Sequence, residues 1–286
     1  MTDRLRRLRP AGSLRRLLPI AFVAVMALAT LAGFGIAAPA PADGTAATDL
    51  HATLAGIERG RVLVAFDADL GSYAEMRPAV RAALAQLIRG GATLSFVSFT
   101  AEGRALGLAE LDRLRRGGME GGRLLDLGFR SGAEAGLVAS VTSVVPPAAD
   151  GALADALRAA GSGIGAFDAV LIIGGGELGP RSWVEQVATR LPDVPLLAIV
   201  PTSLQPQTIP YRATGQLAGL VAGTREGAAY VVAVRDDPSA TVARVAEEIT
   251  DGPPSGIPVM AGLLLTVLLL AEAVASRWRE ALRSPG

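Results

Sequence analysis

Asp168-Ala169-Val170-Leu171-Ile172-Ile173-Gly174 is a run with no polar residue between its aspartate and its glycine. Continuous apolarity over so short a length reads as a strand covered on both faces, the habit of parallel sheets whose crossover helices lie above and below. The strand empties into Gly174-Gly175-Gly176-Glu177. Working outward, Arg61 to Phe66, Ala92 to Phe99, Arg123 to Leu127 and Pro195 to Val200 are further short apolar or alternating runs. Between them, Ser72 to Arg89, Leu108 to Arg116, Gly132 to Val141, Ala152 to Ala160 and Trp183 to Leu191 carry helical spacing. Strands alternating with helices imply a parallel sheet with right-handed crossovers, layered α/β/α. The fold class predicted is therefore α/β, a three-layer Rossmann-like or flavodoxin-like parallel sheet over residues 57–235.

Two apolar stretches bracket that region. Residues 17–38 carry no charge over 22 positions, and residues 257–276 are interrupted only by Glu272. About 20 helical residues cross a bilayer core of roughly 30 Å, so both are long enough to span. Arg4, Arg6, Arg7, Arg9, Arg15 and Arg16 precede the first, and Arg277, Arg279 and Arg283 follow the second. By the positive-inside bias both flanks, residues 1–16 and 277–286, stay cytoplasmic, and the body between is extracytoplasmic. Ala40-Pro41-Ala42 has the small-x-small form of a signal cleavage site, so the first stretch is either a signal anchor or a longer-than-usual signal peptide. Residues 39–56 read as a spacer, and residues 236–256 as a short amphipathic helix with a Pro/Gly hinge.

Composition narrows the chemistry. The formal charge is +0, from 27 basic and 27 acidic residues, every base is arginine, and aromatics are 4%. No basic patch interleaved with aromatics is present, which argues against nucleic acid as a partner. Cysteine is absent and histidine occurs once, at His51. A disulfide scaffold, a thiol nucleophile and a Cys/His zinc site are thereby excluded, and a Ser-His triad would depend on a histidine in the predicted spacer.

In open parallel sheets ligands sit beyond the carboxyl ends of the strands, where the strand order reverses. Two sets of residues fall at strand ends: Asp67 and Asp69 after the first strand, and Gly174, Gly175, Gly176 and Glu177 after the fourth. Aspartates can hold a divalent cation through oxygen, and glycines let backbone amides approach an anion. Neither set matches a specific fingerprint. The glycines lack the first, third and sixth spacing of a dinucleotide loop, and Asp67-Ala-Asp69 lacks the lysine that aspartyl phosphotransferases need. No catalytic residue and no resident cofactor is implied, with a divalent cation at Asp67 and Asp69 the one candidate.

Gly215, Gly219, Gly223 and Gly227 recur every four residues in Pro210 to Tyr230. On one helix they would form a side-chain-free stripe suited to close helix contact, which predicts an interface with a protein partner or a second copy. Tyr211 and Gln216 belong to the same segment. Tyr230-Val-Val-Ala-Val234 reads equally as strand or helix.

The segment Pro210-Tyr211, Gly215-Gln216-Leu217, Gly219-Leu220, Gly223 and Gly227-Ala228-Ala229, with Leu127-Gly128-Phe129 and Trp183 to Val187, resembles a family of membrane-anchored prokaryotic proteins. That resemblance implies an extracytoplasmic α/β region between two terminal transmembrane helices and brings no known activity. The sequence thus predicts a membrane-anchored binding or assembly module, non-enzymatic and accessory to a membrane complex. The alternative is a divalent-metal-dependent hydrolase or transferase using Asp67, Asp69 and Glu177, or a domain for a small nucleotide-like ligand at the carboxyl edge of the strands.

Overall fold

The computed structural model describes residues 45–119, 121–176 and 178–236. The two predicted spans lie outside the described residues, as does all but the first residue of the predicted helix and hinge of residues 236–256. Among the described residues no helix is long and apolar enough to cross a membrane.

The chain opens with helix α1 (Thr45–Ala55), then runs β1 (Arg61–Asp67), α2 (Leu70–Arg89), β2 (Thr93–Ser98), α3 (Ala101–Arg116), β3 (Leu124–Phe129), α4 (Glu134–Ser140) and α5 (Ala152–Ala159). It continues through β4 (Ala169–Gly174), α6 (Pro180–Trp183) with a π-turn at Val184–Ala188, β5 (Leu196–Val200), α7 (Gln205–Ala213), β6 (Gly219–Ala222) and α8 (Gly223–Asp236). Six strands form one parallel sheet in the order β3-β2-β1-β4-β5-β6. That is the Rossmann order rather than the flavodoxin one, and its reversal lies between β1 and β4.

Strand alternation divides the core in two. Val62, Val64 and Phe66 face a layer of α1, α2, α3 and α8, together with Leu50, Leu84, Leu111 and Tyr230. Leu63 and Ala65 face the other layer, together with Leu137, Leu157, Trp183 and Leu217. Every residue of β4 is buried, as its unbroken apolar run predicts.

Two expectations need correction, and one open reading is decided. Residues 45–55 are helix rather than spacer: Ala47, Leu50 and Leu54, at helical spacing, are buried against the body, and the Thr53 hydroxyl reaches the Ala218 carbonyl beside β6. This helix packs against β6, one of the two outer strands of the sheet.

The glycine-striped helix does not exist. Gly215 and Gly223 adopt φ of 78° and 74°, left-handed conformations that end one element and begin another. Gly219 sits in β6, where a Cβ would stand 2.8 Å from Leu50 Cα and 2.9 Å from Leu197 Cδ2. Only Gly227 is inside a helix. The four-residue period therefore arises from four separate requirements, a turn, a close approach, a helix start and an ordinary helical position. Lastly, residues 230–234 are helical and belong to α8, and the sixth strand is Gly219–Ala222.

Candidate functional site

Because β1 and β4 are neighbours, the structure brings the two predicted sets of residues together at the point of strand reversal. Asp67 is in register with Gly174, and the Gly175 amide lies 3.4 Å from the Asp67 carbonyl oxygen.

Asp67, the last residue of β1, follows Phe66 and so falls on the face of Leu63 and Ala65. It is 1% exposed. Its Oδ1 accepts the amides of Phe99 at 2.6 Å and Thr100 at 3.0 Å, and the Thr100 hydroxyl at 3.3 Å. Its Oδ2 is buried without a hydrogen-bond partner. Burial pushes the carboxyl up to about 7, against the opposing pull of those amides and the hydroxyl. Near neutral pH this group therefore exists in substantial part as the uncharged acid.

Asp69 does something different. It is the N-cap of α2, with Oδ1 accepting the Ser72 amide at 2.8 Å and Oδ2 accepting the Ser72 hydroxyl at 2.5 Å. The Ser72 hydroxyl holds its carboxyl below the usual carboxylate range. The two aspartates thus bond to different elements, Asp67 to the end of β2 and Asp69 to the first turn of α2. No group of three or more histidine, aspartate or glutamate side chains that could hold a metal occurs among the described residues. Gly175 closes over this turn, since a Cβ there would collide with Ser72 Oγ and Asp69 Oδ2. Gly174 is buried beside Gly179 and Pro180, and Gly176 is exposed. Glu177 lies outside the described residues.

The helix that follows β1 in a Rossmann sheet ordinarily offers its first amides to a phosphate. Here those donors are taken by the protein's own carboxylates: besides the Asp69 cap, the Leu70 amide donates to Glu102 Oε2 at 2.9 Å. The same device recurs at α8. Glu75 accepts the Thr224 amide and the amide and hydroxyl of Thr202, and Glu226 accepts the Ala222 amide at 2.7 Å. Carboxylates already neutralising the positive ends of two helices repel a further anion. The carboxyl edge suits neutral or cationic groups.

The predicted interface residues do not share one face. Tyr211, on α7, packs against the second core layer and its carbonyl accepts the Leu217 amide at 3.0 Å. Gly215 and the exposed Gln216 line a shallow groove of about 250 Å³ with Thr189 and Pro192. Gly219 is buried, Gly223 begins α8, and Gly227 faces Ala79 of α2.

Two features of this edge escaped the sequence reading. Glu102 and Glu75 cap helices 32 and 149 residues away in the chain, a separation that leaves no local signature. A polar cleft of about 430 Å³ between α4, α6 and α7 is framed by Glu134 and Ser182, which are 48 residues apart. No family model matches the chain, and neither a curated protein nor a solved structure is significantly similar to it.

Proposed function

We propose that this chain is a membrane-anchored binding or assembly module whose α/β body is displayed outside the cytoplasm, serving as an accessory component of a membrane complex. The observation that carries the non-enzymatic part is the state of the α2 amino terminus. The place where a Rossmann enzyme receives a phosphate is occupied by Asp69 and Glu102. A second support is that three of the four oxygens of the aspartates proposed for metal chemistry bond Phe99, Thr100 and Ser72, and the fourth, Asp67 Oδ2, is buried. The membrane part rests on the apolar stretches of residues 17–38 and 257–276 and their flanking arginines. A partner protein or a second copy remains the proposed occupant of the module, though without a glycine-striped helix to receive it.

The absence of cysteine makes the test clean. Single cysteines at Ala160, an exposed position after α5, and at Ser13 are labelled with a membrane-impermeant maleimide in intact spheroplasts. Ala160→Cys should label at once and Ser13→Cys only after permeabilisation; the reverse pattern rejects the topology. Cross-linking the full chain in its native membranes should then yield a species of fixed stoichiometry, and a chain that stays monomeric throughout is not an assembly module.

A further inference from the structure

We propose that the cleft between α4, α6 and α7 binds a small molecule carrying a primary ammonium group. The inference rests on reading the chain as a binding module and supplies a ligand class for it.

The cleft encloses about 430 Å³, within the usual range of small-ligand sites of about 300–1,000 Å³. It lies beyond the carboxyl ends of β4 and β5, where a Rossmann sheet places its ligands. Its polar groups come from Glu134, Ser182, Gln207 and Thr208, and its wall from the backbone of Gly176 and Gly179. A Cβ on Gly179 would stand 3.7 Å from the Gly176 carbonyl oxygen, so glycine there leaves that acceptor uncovered.

Charge decides the class of ligand. Arg181 at the rim is tied to Glu185 at 2.8 Å, one turn along the same helix, which cancels both. Glu134 forms no ion pair among the described residues, and Arg181 acts on it only at longer range. Its Oε1 accepts the hydroxyl of Ser182 at 2.9 Å, and Ser182 is itself only 5% exposed. Glu134 is exposed with one oxygen committed to Ser182, and Glu134, Arg181 and Glu185 together give the cleft lining a net charge of −1, which calls for a cation. No aromatic ring lines the cleft, so a quaternary ammonium would find no face to rest on. A primary ammonium has three N–H donors, and Glu134, the Gln207 side-chain oxygen and the Gly176 carbonyl offer acceptors for them. Thr208 is not among these acceptors in role, because its hydroxyl donates to the Leu204 and Gln205 carbonyls and so anchors the wall of the cleft.

The test uses the full chain in detergent, with thermal unfolding followed at constant ionic strength during titration with putrescine, and with choline as the quaternary control. Putrescine should raise the midpoint and choline should not. Glu134→Gln keeps an acceptor for Ser182 and therefore the local fold, yet should weaken putrescine binding by about tenfold or more. Gln207→Ala, at an exposed position, should weaken it in a background where folding is not in question, whereas Glu185→Gln should leave binding at least as tight. Equal effects of choline and putrescine, an unchanged midpoint, or undiminished binding in both Glu134→Gln and Gln207→Ala would overturn the proposal. Such a result alongside the predicted cysteine labelling would reject this ligand class alone, since topology and assembly are read by separate measurements.

Discussion

Oδ1 of Asp67 accepts the Phe99 amide at 2.6 Å, tying the last residue of β1 to the residue just beyond β2. The bond fixes a carboxyl group in a buried place where its other oxygen has no partner. Burial raises the folded-state value to about 7, above the roughly 3.9 of an unfolded aspartate. The folded chain then binds the proton more tightly than the unfolded one. The stabilising contribution of Asp67 is complete below about pH 4 and is lost as pH rises through about 7, with a slope of at most about 1.4 kcal/mol per pH unit.

Asp67→Asn retains the acceptor for Phe99 and Thr100 and replaces the ionisable oxygen with a neutral amide. Its stability relative to wild type should increase between pH 4.5 and pH 7.5, as urea midpoints at a series of pH values would report. Parallel curves for the two proteins would mean that the Asp67 carboxyl titrates normally. Asp67→Ala, in contrast, strands the Phe99 and Thr100 amides and should cost about 1–3 kcal/mol at pH 4.5.

The four glycines of the Gly215 to Gly227 segment should respond to alanine in opposite directions. At Gly219 the added Cβ meets Leu50 Cα at 2.8 Å and Leu197 Cδ2 at 2.9 Å, so Gly219→Ala forces α1 away from β6 and should destabilise by about 1–3 kcal/mol. At Gly227 the nearest atom is Ala79 Cβ at 3.5 Å, an ordinary contact, so Gly227→Ala should stabilise α8 by about 0.5–1 kcal/mol. Chemical denaturation of the two variants checks the contrast, and a common sign would show that the close approach at Gly219 is not felt as a clash.

That segment also marks where sequence reading stops. The unbroken apolar run of β4 and the alternation around it made the layered parallel sheet legible, because burial on both faces leaves a composition that no neighbouring segment can alter. Asp67 and the glycines after β4 were legible as edge residues because parallel strands put their carboxyl ends on one side. The regular glycine spacing misled, since glycine satisfies a left-handed turn, a tight strand contact and a helix with the same absent side chain. Nor could local pattern reveal that Glu102 arrives from the next crossover to hold the Leu70 amide. Leu50 and Leu54 lay in a stretch whose alanine, threonine and glycine neighbours suggested a spacer, although their spacing already fitted the helix they form.

The self-capped α2 terminus yields a graded prediction. Asp69→Ala removes the acceptor for the Ser72 amide and should cost about 1 kcal/mol, and Asp69→Ser, another good N-cap, should recover most of that loss. Inorganic phosphate should not protect wild type against thermal unfolding, because Asp69 and Glu102 already hold the first amides. Phosphate protection of wild type that persists or grows in Asp69→Ala would show that the terminus receives anions after all.

Glu110 tests how much a buried charge contributes when every partner is in place. It is 3% exposed and accepts from Tyr73 Oη at 2.8 Å, Arg81 at 3.0 Å and Arg113 at 2.6 Å, linking α2 to α3. Burial alone would raise its carboxyl, but the hydrogen bonds and charge of Arg113, with Arg81 and Tyr73, hold it below the usual range. The hydroxyl of Tyr73 is pushed upward by burial and by the same carboxylate, so it remains a donor throughout the physiological range. Glu110→Ala leaves two guanidinium groups without their shared acceptor and should destabilise by about 3–5 kcal/mol. On the same helix, Asp112 meets Arg115 at 3.3 Å with both side chains about half exposed, and Asp112→Ala should change stability by less than about 1 kcal/mol. Denaturant midpoints of the two alanine variants decide the matter: if they fall together, the Glu110 cluster is no stronger than a solvent-screened surface pair.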